Sequence, residues 1–127
     1  MSAKMKVLLV DDEPFVIRAI TSMLESEGHD VVSCTEWMQV ANIVRTEQPN
    51  IVLLDYNMPT LKGDSICTIL KRNVSDPDLR IVIFSSEPER DLVRITRECG
   101  ADGYIRKNVP ATEILSQLSA ATRDLVV

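Results

Sequence analysis

The chain has 127 residues, 45% of them apolar and 26% charged, with a net charge of −5, as in one ordinary folded domain rather than a disordered or fibrous sequence. Its longest stretch free of charged residues and histidine, Ile114 to Thr122, is nine residues long, against the ~20 that a membrane-spanning helix needs. There is no basic stripe, which speaks against direct nucleic-acid binding, and Met1-Ser2-Ala3-Lys4-Met5-Lys6 lacks the apolar stretch of a secretory leader, so the expected location is the cytoplasm, with no membrane insertion.

Val7-Leu8-Leu9-Val10 opens the pattern as a continuous apolar tetrad, which is how a strand buried on both faces reads. A helix is expected from Glu13-Pro14, with proline at its first position, Val16, Ile20, Met23 and Leu24 on one face, and Gly28 as the stop. His29 follows that stop and reads as a surface histidine in a turn. A short second strand surrounds Val31-Val32. A second helix is expected after Thr35, with Trp37, Val40, Ala41 and Val44 as its core stripe and Pro49 beyond its end.

Ile51-Val52-Leu53-Leu54 is the second tetrad. A third helix is expected near Gly63-Asp64, burying Ile66, Ile69 and Leu70. Ile81-Val82-Ile83-Phe84 is the third tetrad. The fourth helix is expected to begin around Ser86-Glu87-Pro88 and end at Cys99-Gly100, with Leu92, Ile95 and Cys99 inward and Arg90, Arg94 and Arg97 on the solvent side. Gly103-Tyr104-Ile105 is a short fifth strand. The fifth helix follows Pro110, with Ile114, Leu115, Leu118, Ala121 and Leu125 inward. Strands two and five read as edges. Alternation of strand and helix predicts an α/β domain with a parallel five-stranded sheet covered on both faces. Three cysteines (Cys34, Cys67 and Cys99) with no C-x-x-C pair argue against a disulfide framework or zinc site.

In open parallel sheets, ligands bind beyond the carboxyl ends of the strands. Asp11-Asp12-Glu13 follow strand one, Asp55 closes strand three, Ser85-Ser86 follow strand four and Lys107 follows strand five. Carboxylates gathered there would repel by about 4 kcal/mol per pair at ~4 Å and an effective dielectric of 20. Such a cluster suits Mg²⁺, a hard cation that takes carboxylate and phosphate oxygens. A strand-end aspartate beside it suits attack on phosphorus, with Lys107, the Ser85 hydroxyl and N–H groups near Asn57 and Ser86 stabilising the transferred group.

Four motifs, Leu8-Leu9-Val10-Asp11-Asp12-Glu13-Pro14, Leu54-Asp55-Tyr56-Asn57-Met58-Pro59 with Gly63, Phe84-Ser85-Ser86-Glu87, and Gly100-Ala101-Asp102-Gly103-Tyr104-Ile105-Arg106-Lys107, resemble a response-regulator receiver domain of two-component signalling, from about Lys6 to Leu125. The resemblance implies a flavodoxin-like doubly wound (βα)5 sandwich, strand order 2-1-3-4-5, here a single stand-alone domain over residues 1–127. It implies that Asp55 takes a phosphoryl group from the phosphohistidine of a sensor histidine kinase or histidine phosphotransfer protein. Asp12 and Asp55 would hold Mg²⁺ through carboxylates, Asn57 through its carbonyl and Asp11 through a water. Lys107, Ser85 and Ser86 would contact the phosphate, and Ser85 and Tyr104 would move in a switch of the surface formed by the fourth helix, fifth strand and fifth helix, for contact with a downstream protein. Asn57 and Glu87 would tune loss of the phosphate to water. The chain would be a signalling phosphoacceptor and not an enzyme on other substrates.

Lys107 departs from the family in one respect: Asn108 follows it where proline is usual, often with a cis bond. A cis bond before a non-proline residue costs ~3–4 kcal/mol, so either a trans bond with a reshaped loop or a strained cis bond is expected. Ser86 is also placed to cap the fourth helix. Three other readings compete: an interaction module with the fold but no phosphotransfer, the receiver part of a longer regulator, and a Mg²⁺-dependent phosphohydrolase of the haloacid-dehalogenase type. The last would want a second acid where Asn57 stands.

Overall fold

The computed structural model describes residues 4–56 and 78–122. Their elements are β1 (Lys6–Val10), α1 (Pro14–Ser26), β2 (Asp30–Cys34), a 3₁₀ turn (Trp37–Gln39), α2 (Val40–Glu47), β3 (Ile51–Asp55), β4 (Arg80–Ser85), α3 (Glu89–Cys99), β5 (Gly103–Arg106) and α4 (Ala111–Ala121). The third helix expected from sequence, with Asn57, Gly63 and Cys67, lies outside the described residues, as does Leu125, so α3 and α4 are the fourth and fifth expected helices.

All strand pairs are parallel, in the order β2-β1-β3-β4-β5. The three apolar tetrads fall on the three central strands, where every residue except the first of β1 and of β4 is buried. The mixed strands β2 and β5 are the edges. Side chains alternate between faces, and each face has its own core. Leu8, Val10, Leu54 and Ile83 pack with Val40 and Val44 of α2 and Leu92 and Ile95 of α3. Leu9, Leu53, Phe84 and Ile105 pack with Ile20 and Leu24 of α1 and Ile114 and Leu118 of α4. Each such aliphatic side chain contributes roughly 1.5–3 kcal/mol by leaving water.

Local punctuation sets the helix ends. Pro14 starts α1, and Gly28 takes the left-handed φ of 89° just after it. Gly100 ends α3 at φ 77°. At the end of α2, Gln48 adopts φ 50° before Pro49.

Three local expectations are corrected. Trp37 does not sit on an α-helical stripe; it belongs to the 3₁₀ turn and packs half-buried against the α2–α3 core. Ser86 does not cap the helix after β4: the helix runs from Glu89, one residue beyond the expected Ser86-Glu87-Pro88 start, with Pro88 as its cap residue and no side-chain cap bond. His29 is buried, because its Nδ1 accepts the Met5 backbone N–H at 3.1 Å, so it stitches the turn to the residue before β1.

Candidate functional site

Strand parity builds the site. Register pairs Val10 with Leu54, Asp55 with Phe84, and Phe84 with Ile105. Leu9, Leu53 and Ile105 face the α1–α4 layer, so the residues two positions later, Asp11, Asp55 and Lys107, emerge on that same side at the carboxyl edge. Asp11 and Lys107 lie one residue past their strands, and backbone bonds fix both. The Asp11 N–H donates to the Cys34 carbonyl at 3.2 Å, and the Lys107 N–H donates to the Ser85 carbonyl at 2.9 Å.

The side chains converge as the sequence predicts. One carboxylate oxygen each from Asp11, Asp12 and Asp55 lie within 4.8 Å of one another. Asp11 and Asp55 are buried, while Asp12 is half-buried. Lys107 Nζ sits 2.6 Å from Asp11 Oδ2 and 3.2 Å from Asp55 Oδ1. The other oxygen of Asp11, Oδ1, accepts the Glu13 N–H at 3.0 Å. Burial by itself pulls the Lys107 ammonium toward neutrality, but the hydrogen bond to Asp11 and the charges of Asp55 and Asp11 outweigh it and hold its pKa above the ordinary lysine value.

Three carboxylates against one nearby ammonium leave the pocket electron-rich in hard oxygen donors, which fits a divalent cation of the Mg²⁺ type. Both Asp11 oxygens already accept hydrogen bonds, and Asp55 Oδ1 shares Lys107 with Asp11.

Ser85 is buried, and its Oγ accepts the Glu87 N–H at 3.1 Å. Ser86 is exposed and Glu87 half-buried beside it. Tyr104 faces the α2–α3 side, and its hydroxyl donates to Glu89 Oε1 of α3 at 2.8 Å. That bond, with partial burial and the Glu89 charge, raises the Tyr104 pKa. Asn57 lies outside the described residues. No described peptide bond is cis, so the Lys107–Asn108 bond is trans, and Lys107 still reaches the acids.

Two participants were not read from the sequence. Glu89 as partner of Tyr104 carries no sequence signal, since 15 positions separate them. Phe84 lies under Lys107, with its ring centroid 5.4 Å from Nζ. Parity through Ile105, opposite Phe84 and two before Lys107, was the signal that could have found it.

The family described as the response regulator receiver domain matches residues 7–119. The chain is 29% identical over 120 residues to the DNA-binding response regulator MtrA of Mycolicibacterium smegmatis, and 32% identical over 121 residues to the probable transcriptional regulator ycf27 of Porphyridium aerugineum. Each match covers 94% of this chain but 51% and 49% of the relative, so the chain spans about half the length of these curated relatives. The BeF3-activated receiver domain of Klebsiella pneumoniae RstA superposes with a TM-score of 0.83 at 28% identity, covering 94% of this chain and 99% of that one. Chemotaxis protein CheY4 of Vibrio cholerae, at 19% identity, shares the fold with a TM-score of 0.85, over 94% of this chain and 99% of its own. Among the described residues no helix is long and apolar enough to cross a membrane. Strand order, the carboxyl-edge cluster and the family match over nearly the whole chain agree: this chain belongs to the response-regulator receiver family.

Proposed function

We propose that Asp55 is a phosphoacceptor. A carboxylate oxygen of Asp55 attacks the phosphorus of a phosphohistidine on a sensor histidine kinase or histidine phosphotransfer protein. The P–N bond breaks, the imidazole leaves and regains a proton, and Asp55 becomes an acyl phosphate. Asp12 and Asp55, with Asn57 and Asp11, would hold Mg²⁺, which would supply positive charge for the transferred group. Lys107 already lies 3.2 Å from Asp55 Oδ1 and pairs with the transferred group. Ser85 donates its hydroxyl proton to a phosphoryl oxygen, and the Ser86 N–H adds a further donor. Hydrolysis by water, tuned at Asn57 and Glu87, returns the carboxylate and releases inorganic phosphate. The observation that carries this reading is the convergence of three carboxylates within 4.8 Å beside one ammonium.

The response is a local charge event with a wider readout. Drawing Ser85 toward the new dianion disturbs its bond to Glu87 at the entrance of α3. Tyr104, tied to Glu89 at the start of the same helix, reports that shift on the face made by α3, β5 and α4. A downstream protein reads that face, in the cytoplasm. Residues 1–127 act as one domain of this kind. Matching only half the length of the curated relatives favours one second reading, in which this domain is the receiver part of a longer regulator.

Incubation with a small phosphodonor and Mg²⁺, followed by intact-mass measurement, tests the proposal. The expected result is a single phosphoryl group, absent in Asp55→Asn. Uptake of none identifies an interaction module, and sustained release of many equivalents of phosphate identifies a phosphohydrolase.

A further inference from the structure

We propose that Phe84 is a positioning residue whose ring face holds the Lys107 ammonium against Asp11 and Asp55. The starting point is the departure at Asn108. Without proline, the loop after Lys107 has no ring to restrict it, and the bond is trans. The backbone of Lys107 is tied to β4 by its N–H donation to the Ser85 carbonyl at 2.9 Å. Its four-carbon stem has no such restraint and carries large rotamer freedom. A compact ammonium with three donors can meet two carboxylates from several stem conformations. Electrostatic pull alone therefore does not choose one path.

Phe84 does choose one. Its side chain is 1% exposed, is locked in the α1–α4 core, and stands in register between Asp55 on β3 and Ile105 on β5. Lys107 continues the Ile105 face, which places its ammonium over the Phe84 ring. Nζ lies 5.4 Å from the ring centroid, inside the ~6 Å range in which the negative ring face attracts a cation. The ammonium is thus held from two sides, by the carboxylates and by the ring. An aliphatic residue at position 84 would fill the volume without that attraction. Phe84 touches neither the phosphorus nor the attacking oxygen, so its effect passes through Lys107. The consequence for rate rests on the phosphoacceptor reading; the ordering of Lys107 does not.

The test places phenylalanines carrying one, two and five ring fluorines at position 84, which drain the ring quadrupole with little change in shape, alongside Phe84→Leu. NMR relaxation of the Lys107 Cε methylene reads its order, and intact mass reads the rate of phosphoryl uptake from phosphoramidate with Mg²⁺. The expected result is a stepwise loss of Lys107 order and a stepwise fall in rate, about 2- to 30-fold across the series, with Phe84→Leu at the low end. A Lys107 that stays equally ordered in every variant overturns the proposal, as does an unchanged rate in a series that does lose order. A native protein that takes up no phosphoryl group overturns the phosphoacceptor reading instead, and the order measurement then decides the role of Phe84 alone.

Discussion

Lys107 Nζ lies 2.6 Å from Asp11 Oδ2 although 96 positions separate the two residues in the chain. The bond spans the carboxyl edge of the sheet from β5 to β1, across β4 and β3. Asp11 is fully buried, and a buried carboxylate is tolerable only with a partner. Lys107 meets that need for Asp11 while also touching Asp55 at 3.2 Å. One side chain therefore stabilises the fold and sits on the proposed phosphoacceptor.

Replacing that cation should cost stability. Lys107→Met leaves Asp11 without its nearest positive charge, and removing one partner of a buried pair costs about 3 kcal/mol. Urea unfolding at neutral pH measures it. The pH dependence has a definite sign. The folded-state pKa of Lys107 lies above its unfolded value, so its contribution is complete below the ordinary lysine pKa of ~10.4 and fades as pH rises through the higher folded value. The gap between native protein and Lys107→Met should hold steady from neutral pH to about 10 and narrow in more alkaline solution. A gap that closes below pH 9 would contradict the ion-pair account.

Asp12 predicts the opposite change. It is the most exposed of the three clustered acids, and among the described residues no salt bridge pairs it with a cation. Asp12→Ala removes repulsion worth about 1 kcal/mol at solvent-like dielectric. Without metal, the variant should melt roughly 3–6 °C higher. Its melting temperature should no longer respond to Mg²⁺, whereas the native protein is stabilised. A lower melting temperature with the Mg²⁺ response intact would refute the charge-cluster account.

The sheet was legible because burial on two faces leaves a signature in composition. Three tetrads marked the central strands, and Pro14, Gly28 and Gly100 marked helix ends through backbone geometry that depends on one residue. The site was legible because each chemical residue sits at or just beyond a strand end, where chain position alone predicts convergence. Asp11, Asp55 and Lys107 met that expectation. The misses have two causes, one a partner distant in sequence and one a choice between neighbouring residues. His29 reads as a turn residue until Met5, 24 positions away, offers it an N–H. Ser86 reads as a helix cap, but the Ser85 hydroxyl takes the Glu87 N–H and the helix starts only at Glu89.

His29 is therefore structural. In His29→Ala, the buried Met5 N–H loses its acceptor, which costs about 1–3 kcal/mol, and a cavity adds to that. Met38→Ala, at a side chain 72% exposed, should stay within about 0.5 kcal/mol of the native protein. Parallel urea titrations compare them. Equal stability of the two variants would return His29 to the surface role that the sequence alone suggests.

Cys34 gives a chemical test of the opposite, carboxyl edge of the sheet, where the acidic cluster lies. Its carbonyl accepts the Asp11 N–H, and its thiol lies in the α2–α3 core. Burial pushes the thiol pKa up to about 11. At pH 8 the thiolate fraction is then about one in a thousand, against about a tenth for an unperturbed thiol of pKa 9.0. Iodoacetamide should therefore modify Cys34 about 100-fold more slowly in folded protein than in urea, as peptide mapping of the carbamidomethylated residue would show. Because the backbone of Cys34 holds Asp11 in place, slow modification means that the anchor of the acidic pocket stays closed in solution. Rapid labelling without denaturant would mean that β2 opens away from β1 and takes the Asp11 anchor with it.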